Sequence, residues 1–253
     1  MNSTRAKLGV WIIVLSIIFV SLWLAIYLGK FSMFEYIVKY FPLIIDGFVL
    51  TIEVTLFGIF GGLALGTILA IGDTYGGRFA STAIRFYVEF FRGSPIIIQL
   101  FIFMYVIPTL SHILIEPTTV GFAVFALNSA AYQKGYVKGA MDAVFQDQMM
   151  AGLSVGMSKP QTIFYVILPQ ALRIVIPAWS NEFCSLTKST AAMLVIGLRD
   201  LTAVGMTIVG QTYRYFETYA FIAVLYFVWI TAVTKIADIV YEKKKIPGIE
   251  VSA

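Results

Sequence analysis

Long uncharged, apolar runs alternate with short polar stretches along the whole chain. Leu8–Gly29 holds 22 residues without a charge, enough at about 1.5 Å per helical residue to cross roughly 30 Å of bilayer hydrocarbon. It follows Arg5 and Lys7 and lacks a small-residue cleavage signature, so it reads as a retained helix rather than a signal peptide. Val54–Gly72 forms a second run, beginning near Asp46, and Gly93–Ile115 a third, entered by a helix from Arg85. Pro117–Gln133 is the fourth. A polar island from Met141 to Arg173 interrupts the series before runs near Thr162–Phe183 and Thr218–Thr234. The pattern predicts an all-α integral membrane protein with six transmembrane helices.

Composition agrees with that class. Hydrophobic residues make up 59% and charged residues 13%, with a mean hydropathy of +0.87, against roughly 45–50% apolar and 25% charged in soluble domains. The single cysteine, Cys184, excludes an intramolecular disulfide framework, and no Cys/His spacing points to a metal. The net charge of +4 does not gather into a basic cluster interleaved with aromatics, so no nucleic acid is expected. The charges sort by side instead. Arg5, Lys7, Arg78, Arg85, Arg92, Lys134, Lys138, Lys159, Arg173, Lys235 and Lys243–Lys245 fall on one side of the spans. Lys30, Lys39, Arg199 and Arg214 fall on the other. The richer side is cytoplasmic by the positive-inside rule, which places both termini and the polar island in the cytosol.

Within the spans, Gly58, Gly61, Gly62, Ala64 and Gly66 form a smooth face for close helix packing. In the island, Met141, Val144, Phe145, Met149 and Leu153 recur at helical spacing. Gly152 and Gly156 favour a bend or stop, and Pro160 is suited to start the next helix. Such a segment fits either an amphipathic helix lying on the membrane surface or a docking element for another protein.

Aligned on Gly156 and Leu168-Pro169, the island resembles the EAA loop of binding-protein-dependent ABC importer permeases. From Phe41 to Glu242 the chain is similar to the polar amino acid subfamily. The matching stretches are Gly47–Thr55 (GFVLTIEVT), Phe91–Gln99 (FRGSPIIIQ), Asn128–Tyr132 (NSAAY), Leu168–Arg173 (LPQALR), Asn181–Phe183 (NEF) and Thr212–Glu217 (TYRYFE). The resemblance implies a five-helix permease core over 41–242, with a cytosolic coupling helix and loop at about 141–160. Residues 1–40 would add one N-terminal helix and an outer connector, and 243–253 a cytoplasmic tail. Met150, Ala151, Gly152, Gly156, Leu168 and Pro169 would couple the chain to an ATPase. Three acids usual in the family are missing: the Glu-Ala-Ala triplet falls on Met150-Ala151-Gly152, and two further acidic positions fall on Gly135 and Ser189.

No G-x-x-x-x-G-K-[ST] occurs, so ATP and magnesium would be used by a partner and no cofactor by this chain. No catalytic constellation is present, and the only histidine, His112, lies near an outer helix end. The family implies two ATPase subunits, a second permease copy (identical or a paralogue), an extracytoplasmic solute-binding protein and a prokaryotic inner membrane location. Ionisable residues inside spans are costly and point to substrate or helix–helix contacts. Glu182, beside Asn181, is the leading partner for an α-ammonium group or a basic side chain; Asn128, Ser129 and Tyr132 would add neutral hydrogen bonds, with Gln99 and Glu53 as further candidates. Each also reads as a polar link between helices, and for all but Glu182 that is the stronger reading. Arg92 is expected at a cytoplasmic helix end, held by headgroups or carbonyls. The substrate expected is a polar amino acid, with an opine or another small polar solute as the alternative. An ion-coupled secondary transporter is a weaker reading, since no half-chain repeat is found.

Overall fold

A computed structural model of the chain describes residues 32–244. The expected first span, Leu8–Gly29, and most of the tail lie outside them. The described residues form eight helical segments. Helix α1 spans Ser32–Tyr75, α2 Gly77–Gly93, α3 Ile96–Ser111 and α4 Pro117–Ser154. Helix α5 spans Lys159–Ile174. Helix α6, Ile176–Ser189, runs into a tighter 3₁₀ segment, Thr190–Ile196. Helices α7, Leu201–Thr212, and α8, Tyr215–Lys244, complete the bundle.

By length and composition, Glu35–Tyr75 and Tyr215–Lys244 can each cross a membrane. The count rises to four if each of two bent pairs is one span: α2 with α3, bent by 109°, and α5 with α6, bent by 55°. Helix α4 does not qualify by the same measure. Its uncharged run, Pro117–Gln133, is only 17 residues long and carries Asn128, Ser129 and Gln133, with Lys134 and Lys138 directly after.

Helices α1 and α4 share the most extensive packing in the fold, and the glycine face of α1 is the reason. A Cβ at Gly62 would lie 2.8 Å from Ser129 Oγ and Gln133 Nε2, and one at Gly66 would lie 2.9 Å from the Lys134 backbone nitrogen. Gly58 likewise meets Leu186 and Phe125. Three apolar clusters then follow one another along α1. Ile44 joins Leu201, Val204, Ile208 and Ile222; Val54 and Ile59 join Phe125, Phe183, Leu186 and Met193; Ala70 joins Val137, Met141, Ile163 and Ile167.

Proline sets the shape of the shorter helices. Ahead of Pro108 and Pro169 the chain widens into π-helical turns, Ile102–Val106 and Ile163–Ile167. Proline cannot donate a hydrogen bond and its ring crowds the carbonyl four residues back, and a wider turn relieves that clash. The bonds formed are Ile107 N–H to Ile102 O and Leu168 N–H to Ile163 O, each reaching back five residues.

The polar island differs from its expected form. Its helix is not a separate short element, because α4 runs unbroken for 38 residues to Ser154. Gly135, Gly139 and Gly152 do not break it. Gly152 is instead a contact point: a Cβ there would lie 2.5 Å from the Thr162 side chain. The stop comes at Gly156, as the sequence indicates. Its φ is +85°, the left-handed conformation that glycine adopts without a Cβ clash. Gly156 N–H donates to Leu153 O and Met157 N–H to Gly152 O, both at 3.0 Å, the paired bonds of a Schellman stop. Ser158 then caps α5 in a capping box with Gln161, with Pro160 in the first turn.

Candidate functional site

A cavity of about 610 Å³ opens where α2, α3, α4 and α6 meet, within the size range of small-molecule sites. Three elements build its walls. Helix α4 contributes Asn128, Tyr132 and Tyr136 at four-residue spacing, one stripe of a helix. Helix α6 contributes Asn181, Glu182, Ser185 and Ser189. The third wall is the sharp corner between α2 and α3, where Arg92, Gly93, Ser94 and Pro95 line the space. Ser94 and Pro95 are extended there, with ψ of 143° and 139°.

A corner of 109° inside an apolar bundle leaves carbonyls without helical partners, and Gln99 meets that need. Its Nε2 donates to Phe91 O at 2.9 Å and to Ser94 O and Oγ at 3.0 Å. Asn128 Nδ2 donates to Gln99 Oε1 at 3.0 Å and to Phe91 O at 3.2 Å. Gln99 is fully buried behind the wall and acts as a strut for the corner, while Asn128 reaches both the strut and the cavity.

Glu182 is only 5% exposed. The Tyr136 hydroxyl donates to its Oε2 at 3.3 Å, and the Ser129 hydroxyl lies nearby. Ser129 itself is buried beneath the cavity surface, where its Oγ accepts from Gln133 Nε2 at 2.9 Å. The Arg92 guanidinium lies over the Tyr132 ring, 5.1 Å from its centroid, a cation–π arrangement.

Of the residues expected at a substrate site, Glu182, Asn128, Tyr132 and Asn181 come together on one cavity. Gln99 and Ser129 stand just behind it. Glu53 is exposed on α1 and does not line it. Arg92 does end α2, as its charge indicates, but the corner turns that helix end onto the cavity. Tyr136, Ser94 and Ser185 also line it without having been singled out as site residues in the sequence, and Ser189, noted only for a missing acid, joins them. For Tyr136 the four-residue step beyond Asn128 and Tyr132 was the available signal.

The other candidate region is the tip of α4. Met150 is 63% exposed, and Leu153 and Val155 are exposed beside it. Ala151 is exposed, Gly152 is buried under Thr162, Leu168 is half-buried and Pro169 is exposed on α5.

Comparison with known proteins gives this geometry a context. Residues 62–246 match the family described as binding-protein-dependent transport system inner membrane component. The glutamine transport system permease protein of Escherichia coli (strain K12) is 32% identical over 188 residues, covering 74% of this chain and 86% of that protein. A probable amino-acid permease protein of Bacillus subtilis (strain 168) is 33% identical over 215 residues, covering 83% and 94%. A crystal structure of an amino acid ABC transporter with histidines superposes with a TM-score of 0.74 at 32% identity, covering 82% of this chain and 96% of that one. An inward-facing methionine ABC transporter shares the fold at a TM-score of 0.69 and 18% identity, covering 81% and 97%. This chain therefore belongs to the inner membrane components of binding-protein-dependent ABC transport systems, as a permease subunit and not an enzyme.

Proposed function

We propose that this permease carries a polar amino acid through the Glu182 cavity, from an extracytoplasmic binding protein to the cytoplasm, driven by a partner ATPase. The cavity is the observation that carries the reading. It gathers one carboxylate, one guanidinium, amides and hydroxyls at the junction of four helices, the donor set that an amino acid's two charged ends require. Relatives named for glutamine and amino-acid transport support the substrate class.

The transport cycle follows from the shape of α4. Two ATPase copies would grip the tips of two permeases, one each, at Met150, Ala151 and the turn through Gly156, with the Leu168-Pro169 segment of α5 behind them. Tyr136 and Met150 lie 14 residues apart on one unbroken helix, about 21 Å at the α-helical rise. A displacement of the tip is thus delivered to the cavity wall by a rigid rod rather than through a flexible joint. Closure of the ATPases on ATP and magnesium would draw two such rods together and open the pathway outward. Hydrolysis would release them. The membrane arrangement that fits this cycle has six spans, including Leu8–Gly29, with both termini and the α4 tip cytoplasmic. Met150 stands where the family commonly has an acid, so docking there rests on apolar contact with an adaptable thioether.

Reconstitution tests the reading. The permease, with its ATPase in proteoliposomes and its binding protein supplied outside, should take up a polar amino acid only when ATP is enclosed. Uptake of an opine alone would change the substrate class. Uptake driven by an ion gradient, without ATP, would overturn the proposal.

A further inference from the structure

Two charged groups line the cavity, Arg92 and Glu182. Among the described residues no ion pair joins them, unlike Asp73, which pairs with Lys134 and Lys138. Arg92 is exposed and rests on the Tyr132 ring, and among the described residues no ion pair engages it, so its guanidinium fork is able to receive a ligand carboxylate. Its surroundings explain why it is free. A Cβ built on Gly135 would lie 3.7 Å from Arg92 Nη1, and no other atom outside its own helix backbone and chain neighbours stands within 4 Å of that point. Gly135 is one of the positions where the resembling family commonly has an acid, and Ser189, another, lies on the cavity wall itself. The two positions where an acid would compete for Arg92, or add negative charge to the cavity, are uncharged here.

We infer that Arg92 binds the α-carboxylate of the substrate while Glu182 binds its α-ammonium, so that the site selects zwitterionic amino acids with an uncharged polar side chain. The inference rests on the cavity being the transport site. Arginine's planar fork meets a carboxylate through two parallel hydrogen bonds. With Arg92 and Glu182 both engaged by the backbone of the ligand, no charge remains in the wall for a cationic or anionic side chain. Asn128, Asn181, Ser185 and Ser189 remain to hydrogen-bond an amide or hydroxyl. A charged side chain would therefore be held against this wall without a counter-charge.

The test uses the permease–ATPase complex in lipid nanodiscs and calorimetric binding of three probes. These are L-glutamine, its α-carboxamide, which lacks the carboxylate, and glutaramate, which lacks the ammonium. Wild type should bind L-glutamine about tenfold or more tightly than either analogue, and more tightly than L-arginine or L-glutamate. Arg92→Gln should weaken L-glutamine and glutaramate about tenfold and leave the α-carboxamide unchanged. Glu182→Gln should weaken L-glutamine and the α-carboxamide and spare glutaramate. Gly135→Glu, in an open position where the fold is not disturbed, should reproduce the Arg92→Gln pattern by pairing with the guanidinium. Equal weakening of all probes by Arg92→Gln, no weakening at all, or a wild-type preference for L-arginine or L-glutamate would overturn the inference. If those patterns fail while ATP-dependent amino-acid uptake persists, the inference alone falls. If uptake is absent as well, the transport reading falls with it.

Discussion

Three carboxylates sit in protected places in this bundle, and they are treated differently. Asp200 is fully buried at the start of α7. Its Oδ1 accepts from Ala203 N–H at 2.9 Å, and its Oδ2 from Thr190 at 3.2 Å and Tyr226 at 3.3 Å. Asp73, at the end of α1, accepts from Lys134 at 2.7 Å, Lys138 at 2.9 Å and Ser81 at 2.6 Å. Both acids are surrounded by donors and tie three or more elements together. Glu182 has one hydroxyl at 3.3 Å, a second neighbour in Ser129, and a cavity in front of it. Saturated carboxylates hold the scaffold; the one left short of donors faces the space where a cationic group would fit.

That contrast predicts which substitutions affect the fold and which affect transport. Asp200→Ala removes the α7 cap and takes one acceptor from the Thr190 and Tyr226 hydroxyls, which keep Thr187 O and Thr202 as partners, so it should cost the most stability, about 2–3 kcal/mol. The drop in unfolding midpoint in detergent would measure it; an unchanged midpoint would dissolve the distinction drawn here. Asp73→Asn leaves two lysines facing a neutral amide and should cost about 1–2 kcal/mol, again read by the midpoint. Glu182→Gln keeps the shape and should shift the midpoint by less than about 1 kcal/mol, while ATP-dependent uptake falls about tenfold or more. A comparable stability loss in Glu182→Gln and Asp73→Asn would make Glu182 another structural acid. The smallest effect on the bundle is expected from Met150→Asp: an exposed site tolerates the charge, so the midpoint holds while co-purification with the ATPase weakens. Unchanged co-purification would count against apolar docking.

Much of this was legible in the sequence because membrane helices announce themselves by uncharged runs and because α4 displays its polar residues one turn apart. Glu182 was singled out as an ionisable residue inside a span, and Asn128 and Tyr132 as neutral hydrogen-bonding residues of the fourth run. Arg92 was read as a headgroup-bound helix end because linear charge patterns carry no information on where a bent helix turns; the 109° corner depends on Gln99 and Asn128 satisfying its carbonyls from afar. Gln99 was read as a possible ligand for the same reason, since a buried amide serving the backbone looks identical in sequence to one serving a substrate. The continuity of α4 was hidden by its glycines. Propensity favours a break at Gly152, but close packing against Thr162 rewards the missing side chain there and overrides it.

The unbroken α4 also imposes a fixed phase. Fourteen residues at about 100° each bring Met150 to within about 40° of the direction of Tyr136 around the helix axis. The proposed docking tip and the cavity wall are thus keyed like the two ends of one shaft. A single residue inserted between them would turn the tip by about 100° and advance it by only about 1.5 Å. Coupling in this permease should therefore be more sensitive to the number of residues between Tyr136 and Met150 than to their identity.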